Sequence, residues 1–351
     1  MIRTFEVELK VLTPLHIRAG SAPLNRDWDY IVTGNTAYVL DNRRIYSELW
    51  DSKSTPPTPA QLLRGSQVSD YTLYTLRIAQ IAAPPERIWP ITRDINGRPY
   101  VPGSSIKGLL RTAIIWKLYQ PPLQLDDGQT QAKSAGAKME KTLMGQEPHR
   151  DILRALRVSD FQLLGEAQSW LFPFELLTLD RNGRLRSITG NKGGWEPLEA
   201  VGNGATFRGT ISIDEHLLQN PAAQRELHLS TQAVQLVYSW ADVLSEFGKA
   251  LLNYQIGFFR RCFEPDLANL LGRISQVRIP ACLGWGGGWP SKTVGLKLGP
   301  QEIAQVQRHF KMNRWISSSF PDNFPASRRM VRTPKGLRPL GWVEVSIIKA
   351  Q

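Results

Sequence analysis

Tyr100-Val101-Pro102-Gly103-Ser104-Ser105-Ile106-Lys107-Gly108-Leu109-Leu110-Arg111-Thr112-Ala113-Ile114-Ile115-Trp116 is the stretch around which the chain reads. It predicts a short extended segment, a tight turn at Pro102-Gly103 and then a helix, with Ser104 or Ser105 as its N-cap. Ile106, Leu109, Leu110, Ala113, Ile114 and Trp116 or Leu118 recur at helical spacing and mark the face that is buried. The helix runs to about Tyr119 and stops at Pro121-Pro122. A helix N-terminus presents unpaired N–H groups and the positive end of a dipole, which suits a phosphate. Lys107 lies in the first turn and Arg111 one turn further on the same face. Cations there oppose the dipole unless an anion sits nearby. The pattern therefore reads either as an anion site or as an amphipathic helix with two solvated charges. The G-x-x-x-x-G-K-[ST] order of a Walker loop is absent.

Four further stretches carry information beyond their local structure. They are Leu12-Thr13-Pro14-Leu15-His16-Ile17-Arg18-Ala19-Gly20-Ser21, Arg157-Val158-Ser159-Asp160, the loop Leu283-Gly284-Trp285-Gly286-Gly287-Gly288-Trp289-Pro290-Ser291-Lys292-Thr293, and the ending from Phe324 to Val331 and Pro339 to Val343. With the helix, they resemble in order the motifs of the RAMP superfamily, the ferredoxin-like RNA-binding proteins of CRISPR effector complexes. The ending resembles the branch that forms the fifth subunit of the type III-A Csm complex. The Gly-Trp-Gly-Gly-Gly-Trp loop departs from the more usual charged glycine loop of that family. The resemblance implies an RRM-like core with an inserted thumb hairpin. It also implies a role in holding the 3′ part of the guide (CRISPR) RNA at the head of the complex and ending the filament of backbone subunits. The implied partners are guide RNA, target RNA, the backbone RAMP subunits, the small subunits of the Csm complex, and host nucleases that trim the guide.

Composition agrees with a polyanionic partner. The chain has 351 residues and a formal charge of +12, and a basic excess of that size favours nucleic acid. The length suggests two domains or one fused pair. Cys262 and Cys282 form no metal pattern and no disulfide framework. Arg3 and Glu6 interrupt any N-terminal apolar run, and no stretch approaches the length of a membrane span. These features predict a cytoplasmic protein.

Periodicity predicts an α+β chain. Phe5, Val7, Leu9 and Val11 alternate as a half-buried strand. Tyr30–Val32 and Ala37–Leu40 form a hairpin around Gly34-Asn35, and Asp41 caps a short helix. Residues 87–102 turn at Asn96-Gly97, and a helix falls near 131–144. The stretch from Asp180 to Trp195 predicts a protruding basic hairpin bearing Arg184, Arg186 and Lys192. Val234, Val237, Trp240, Ala241, Leu244, Phe247, Leu251 and Leu252 predict one helix over 231–254. We place an N-terminal half at 1–165 and a C-terminal half at 166–351, compatible with two ferredoxin-like units.

The candidate RNA contacts are Ser104, Ser105, Lys107, Gly108 and Arg111 on the helix; His16 and Arg18 in the first motif; Arg184, Arg186 and Lys192 on the hairpin; Gly284, Gly286, Gly287, Gly288, Ser291 and Lys292 in the loop; and Arg328 and Arg329 near the end. Glycines let a backbone approach phosphate closely, and Trp285 and Trp289 offer faces for base stacking or for packing on a sheet. The segment 308–349 carries nine Lys and Arg against Asp322 and Glu344, too lopsided for a neutral face. It reads as lining an RNA groove or meeting an acidic neighbour subunit. No catalytic residue, metal or cofactor is assigned. The competing reading is an endoribonuclease, using either His16 without metal or Asp27 and Asp29 with Mg²⁺. A third reading is an architectural cap that touches only protein.

Overall fold

The computed structural model describes residues 1–51, 55–81, 83–123, 125, 131–132, 135–180, 182–188, 197–226, 230–312 and 324–350. Its first strand, Ile2–Val11, lies at the middle of a seven-stranded sheet. The alternation of that strand is the reason. Phe5, Val7, Leu9 and Val11 are buried, while Glu6, Glu8 and Lys10 turn to the other face. On one side it pairs antiparallel with Thr206–Asp214, setting Phe5 opposite Ile211 and Leu9 opposite Phe207. On the other it pairs with Trp342–Ala350, setting Leu9 opposite Val345. The sheet is completed by Pro280–Cys282, Leu156–Val158, Phe161–Leu163 and Tyr100–Val101. Strands from both sides of residue 165 thus interleave in one sheet. The fold is α+β, as the periodicity predicts.

Three helices cover the buried face. The signature helix spans Gly103–Leu118, with Ile106, Leu109, Leu110, Ala113, Ile114, Ile115 and Leu118 buried. Instead of one helix over 231–254, the chain forms Thr231–Tyr238 and then Trp240–Arg261. Ser239 leaves helical geometry between them, and its hydroxyl bonds back to the Gln235 carbonyl at 3.0 Å. The apolar residues of these helices join Phe5, Leu9 and Ile211 in one core. Within it Trp116 meets Phe247 at 5.5 Å and Phe5 meets Trp240 at 5.8 Å. Lys297 closes the far end of the signature helix by donating to the Tyr119 and Lys117 carbonyls at 2.9 and 3.3 Å.

The helix start departs from expectation. Pro102, not Ser104 or Ser105, holds the N-cap position, with no side-chain cap bond. The Gly103 N–H donates to the Asp160 carboxylate at 2.7 Å instead. A Cβ on Gly103 would lie 2.5 Å from the Val158 carbonyl, so the turn packs directly on the Val-Ser-Asp strand.

Two further sheets flank the core. A five-stranded sheet orders Leu198–Val201, Ser169–Phe172, Thr72–Ile78, Thr36–Leu40 and Tyr30–Thr33. The expected hairpin at Gly34 forms its edge, and Asp41 caps Asn42–Leu49 as read. A four-stranded sheet orders Leu185–Ser187, Phe174–Leu179, Arg328–Thr333 and Gly336–Pro339. Its first two strands are the described part of the basic hairpin, with Asp180 closing the turn.

Two helical glycines separate packing from exposure. A Cβ on Gly248 would fall 1.7 Å from the Pro280 carbonyl, whereas one on Gly108 meets nothing within 4 Å. Gly248→Ala is expected to destabilise by about 3 kcal/mol, and Gly108→Ala to stabilise by about 1 kcal/mol. Urea unfolding midpoints at constant slope check both.

Candidate nucleic-acid interface

The signature helix presents its polar residues in two groups. Ser104 and Gly108 are exposed, and Thr112, one turn on, is half-buried. That face carries no side chain bulkier than a hydroxyl-bearing residue. Gly108 has no packing reason to be glycine, and a glycine inside a helix costs about 1 kcal/mol relative to alanine. Ser105 is half-buried. Lys107 and Arg111 point into a depression shared with Glu140, Lys141, Asp151 and Arg154. Arg111 bonds Glu140 at 2.9 Å and also bonds Asp151. The anion that the two cations call for is therefore, in the first place, the protein's own. Lys107 forms no ion pair among the described residues; burial pulls its pKa down, Asp151 raises it and Arg111 lowers it again.

A groove of about 840 Å³ opens beside this helix. Arg111, Thr112 and Ile115 line one wall, and Trp289, Lys292 and Thr293 line the other. The structure thus brings the end of the glycine loop to the signature helix across more than 170 residues of sequence. Lys292 is exposed there, with its pKa pulled down by partial burial and then by Arg329.

The glycine loop itself faces inward. It forms two short turns, Gly284–Gly287 and Trp289–Ser291. Gly284 has φ +74°, and its absent Cβ would stand 2.2 Å from the His16 carbonyl. Gly286 and Gly287 are packed as closely on Leu340 and Ser291. The Ser291 hydroxyl donates to the Gly288 carbonyl at 3.0 Å and is buried. These glycines admit the protein's own backbone, not a phosphate. Of the predicted loop contacts, Gly288 and Lys292 stay open. Trp285 packs against Phe174 at 4.7 Å and beneath the Arg329 guanidinium at 4.5 Å. Trp289 packs against Phe324 at 5.1 Å.

His16 is buried behind this loop. Its Nδ1 donates to the Glu199 carbonyl at 2.7 Å, and its own carbonyl accepts from the Trp285 N–H at 3.1 Å. Burial lowers its pKa to about 4, against the Glu199 bond, with Arg18 lowering it further. His16 is therefore a neutral positioning group and touches no ligand, which corrects its place among the RNA contacts and removes it as an exposed base. Arg18 is exposed and stacks on Trp89 at 3.7 Å. Arg184 and Arg186 are exposed on the hairpin, while Lys192 lies outside the described residues.

Arg328 is also corrected. It is 8% exposed, and its guanidinium lies 3.6 Å from the Phe258 ring. Arg329 is half-buried and donates to the Trp285 carbonyl at 2.9 Å. The basic ending does not form one free stripe, since Arg332, on the same strand, pairs with Glu175 of the neighbouring strand at 2.6 Å. Asp29 closes its own turn by accepting from the Asn25 N–H at 2.7 Å. Asp27 lies 3.9 Å from Arg26. Among the described residues no group of three His, Cys, Asp or Glu side chains gathers at these or other positions.

The arrangement is that of an α+β RAMP fold, and sequence comparison gives the family. The RAMP superfamily model matches residues 8–289, and the chain belongs to that superfamily. Over 99% of its length it is 22% identical to the CRISPR system Cms protein Csm5 of Methanocaldococcus jannaschii, covering 90% of that protein. It is 24% identical to Csm5 of Streptococcus thermophilus over 45% of this chain and 51% of that one. In structure it is similar to a chain of a type III-A Csm–crRNA–target RNA ternary complex, with a TM-score of 0.68 and 20% identity over 97% of this chain and 100% of that chain. It is likewise similar to Csm5 of T. onnurineus, with a TM-score of 0.63 and 21% identity over 96% and 99% of the two chains. No helix among the described residues is long and apolar enough to cross a membrane.

Sequence reading missed Asp151, Asp160, Glu140 and Glu199, the acids that meet its cations and helix start. Asp160 stood inside a quoted motif and was the one with a signal. Glu199 had none, because a lone glutamate in a short strand reads as exposed.

The buried His16 has a pH signature. Folded, its pKa is about 4, against about 6.5 in an unfolded chain. Below about 6.5 the unfolded state binds a proton that the folded state refuses, so this contribution to stability is intact above that pH and falls until about pH 4. The loss is about 3 kcal/mol. His16→Asn, which keeps a donor toward Glu199, should flatten the fall; urea midpoints from pH 7 to pH 4 for both proteins check it.

Proposed function

We propose that this chain is a non-catalytic guide-RNA-binding subunit that caps the head, at the 3′-guide end, of a type III-A CRISPR interference complex. It ends the filament of backbone RAMP subunits, adjoins the small subunits and helps position the nucleases that trim the guide. The observation that carries the RNA contact is the bare Ser104–Gly108–Thr112 face of the signature helix, which adjoins at Thr112 the groove lined by Arg111 and Lys292. A helix surface without side-chain bulk lets a sugar-phosphate backbone approach closely, and the cations on either side supply charge. Full-length likeness to Csm5 proteins supports the place in the complex.

The contacts so arranged reach phosphate and not base edges, so binding is indifferent to guide sequence. Arg111 is already paired with carboxylates, and half-exposed pairs of this kind are worth about 0–1 kcal/mol. A phosphate can take the place of Glu140 at small cost. The nuclease alternative finds its histidine buried and neutral and one of its two aspartates closing its own turn.

The test is filter binding of labelled repeat-spacer RNA to the purified chain over a salt series, with Mg²⁺ and with EDTA. A single strand loses about 0.7 log units of affinity per log unit of salt for each phosphate neutralised. Lys107→Met with Lys292→Met should shrink the slope by about 1.4 and leave the RNA intact. An unchanged slope would remove the groove from the assignment, and cleaved RNA would restore the nuclease reading.

A further inference from the structure

Lys107 and Lys292 lie in different spaces. Lys292 lines the groove of about 840 Å³, and Lys107 lines the separate depression of about 400 Å³. Arg111, Ala137 and Glu140 line both. The wall that the two spaces share therefore contains the ion pair of Arg111 Nη1 with Glu140 at 2.9 Å, which ties the signature helix to the helix Ala137–Met144.

The two carboxylates on Arg111 are not alike. Asp151 is fixed, because its other oxygen accepts from the Leu153 N–H at 2.8 Å and its side chain is only 15% exposed. The Glu140 side chain is 44% exposed, and among the described residues its carboxylate meets only Arg111. The helix that carries Glu140 is held at its end by the buried Met144 and by Gly145, where a Cβ would lie 2.2 Å from the Arg150 carbonyl. The part that gives way is thus the Glu140 side chain and not the helix. Half-exposed pairs of this kind add little to stability, and a guanidinium takes a phosphate with the same forked geometry as a carboxylate. The depression holds Lys107, Arg111, Lys141 and Arg154 against Glu140, Glu147 and Asp151. With Glu140 turned away, its excess of positive charge doubles.

We propose that the Arg111–Glu140 pair is a self-inhibitory bar across the RNA site. A strand in the groove takes Arg111 from Glu140 through one of its phosphates, and the groove and the depression then form one path that reaches Lys107. A small anion that breaks the bar only exchanges one partner of Arg111 for another. A strand makes the same exchange and gains Lys107 beyond it, so the bar favours a chain of phosphates over a free one. The inference rests on the guide-binding reading above and adds to it how the site is held closed.

The test is fluorescence anisotropy of labelled repeat-spacer RNA with the full chain, at one fixed salt concentration and over a salt series. Glu140→Gln, which opens the bar beforehand, should tighten binding by about threefold. Glu175→Gln removes the same charge but frees Arg332, which lines neither space; its gain should be smaller. Lys107→Met should weaken binding more in the Glu140→Gln chain than in the wild type, by about twofold or more. No gain from Glu140→Gln, an equal gain from Glu175→Gln, or the same loss from Lys107→Met in both backgrounds overturns the bar. Salt-dependent RNA binding with any of those three results sinks the bar alone. RNA binding that is absent, or indifferent to salt, in every variant sinks the guide reading and the bar with it.

Discussion

Glu199 ties the three larger sheets of this protein to one another. Its carbonyl accepts from the His16 imidazole as the chain leaves the central sheet. Its carboxylate, fully buried, accepts from Arg93 Nε at 3.0 Å and from the Ile91 N–H at 3.2 Å. Arg93 in turn stacks on Tyr74 at 3.7 Å and donates to Ser169 at 2.8 Å, both in the five-stranded sheet. His16 passes the constraint on through its carbonyl to the Trp285 N–H, and Arg329 of the four-stranded sheet grips the same tryptophan. Burial pushes the Glu199 carboxyl above its ordinary range, and Arg93 pulls it back. Such a pair adds little net stability over an apolar equivalent, but losing one partner costs about 3–5 kcal/mol, because the other is left charged in the interior. Its value here is geometric: it fixes how His16, Ile91, Arg93 and Ser169 meet.

That constraint explains why the glycine loop is not an open phosphate cradle. The loop must cross the His16 carbonyl and the Leu340 segment at distances that exclude a Cβ. Its glycines serve closeness between protein segments. What the packing leaves uncovered is the Ser104–Gly108–Thr112 face of the signature helix and the lysine at the loop's end.

The charge of +12 is spread less evenly than composition implies. Arg208 is met by Glu6 and Glu8, Arg332 by Glu175, and Arg111 by Glu140 and Asp151. These pairs are mostly half-exposed and weak. They keep the free protein locally balanced and yield readily to a polyanion. Among the described residues neither Lys107 nor Lys292 forms such a pair.

The sequence alone determined the elements with strong periodicity: the alternating first strand, the signature helix from its apolar stripe, the Gly34 and Asn182-Gly183 turns, and the ordered motifs that mark the family. These depend on neighbours in the chain, where side-chain spacing speaks directly. It misplaced the N-cap and ran two helices together at Ser239, where one local hydrogen bond outweighs a continuous apolar pattern. The candidate site was half legible. Lys107, Gly108 and Lys292 were read as such, while His16, Ser291 and Arg328 carry the right chemistry in positions that solvent does not reach. Only the tertiary structure decided that, because burial and pairing are set by segments 40 to 183 residues apart. Asp151 reaches Arg111, Glu199 reaches His16, and Phe258 covers Arg328, and no spacing in the chain announces any of the three.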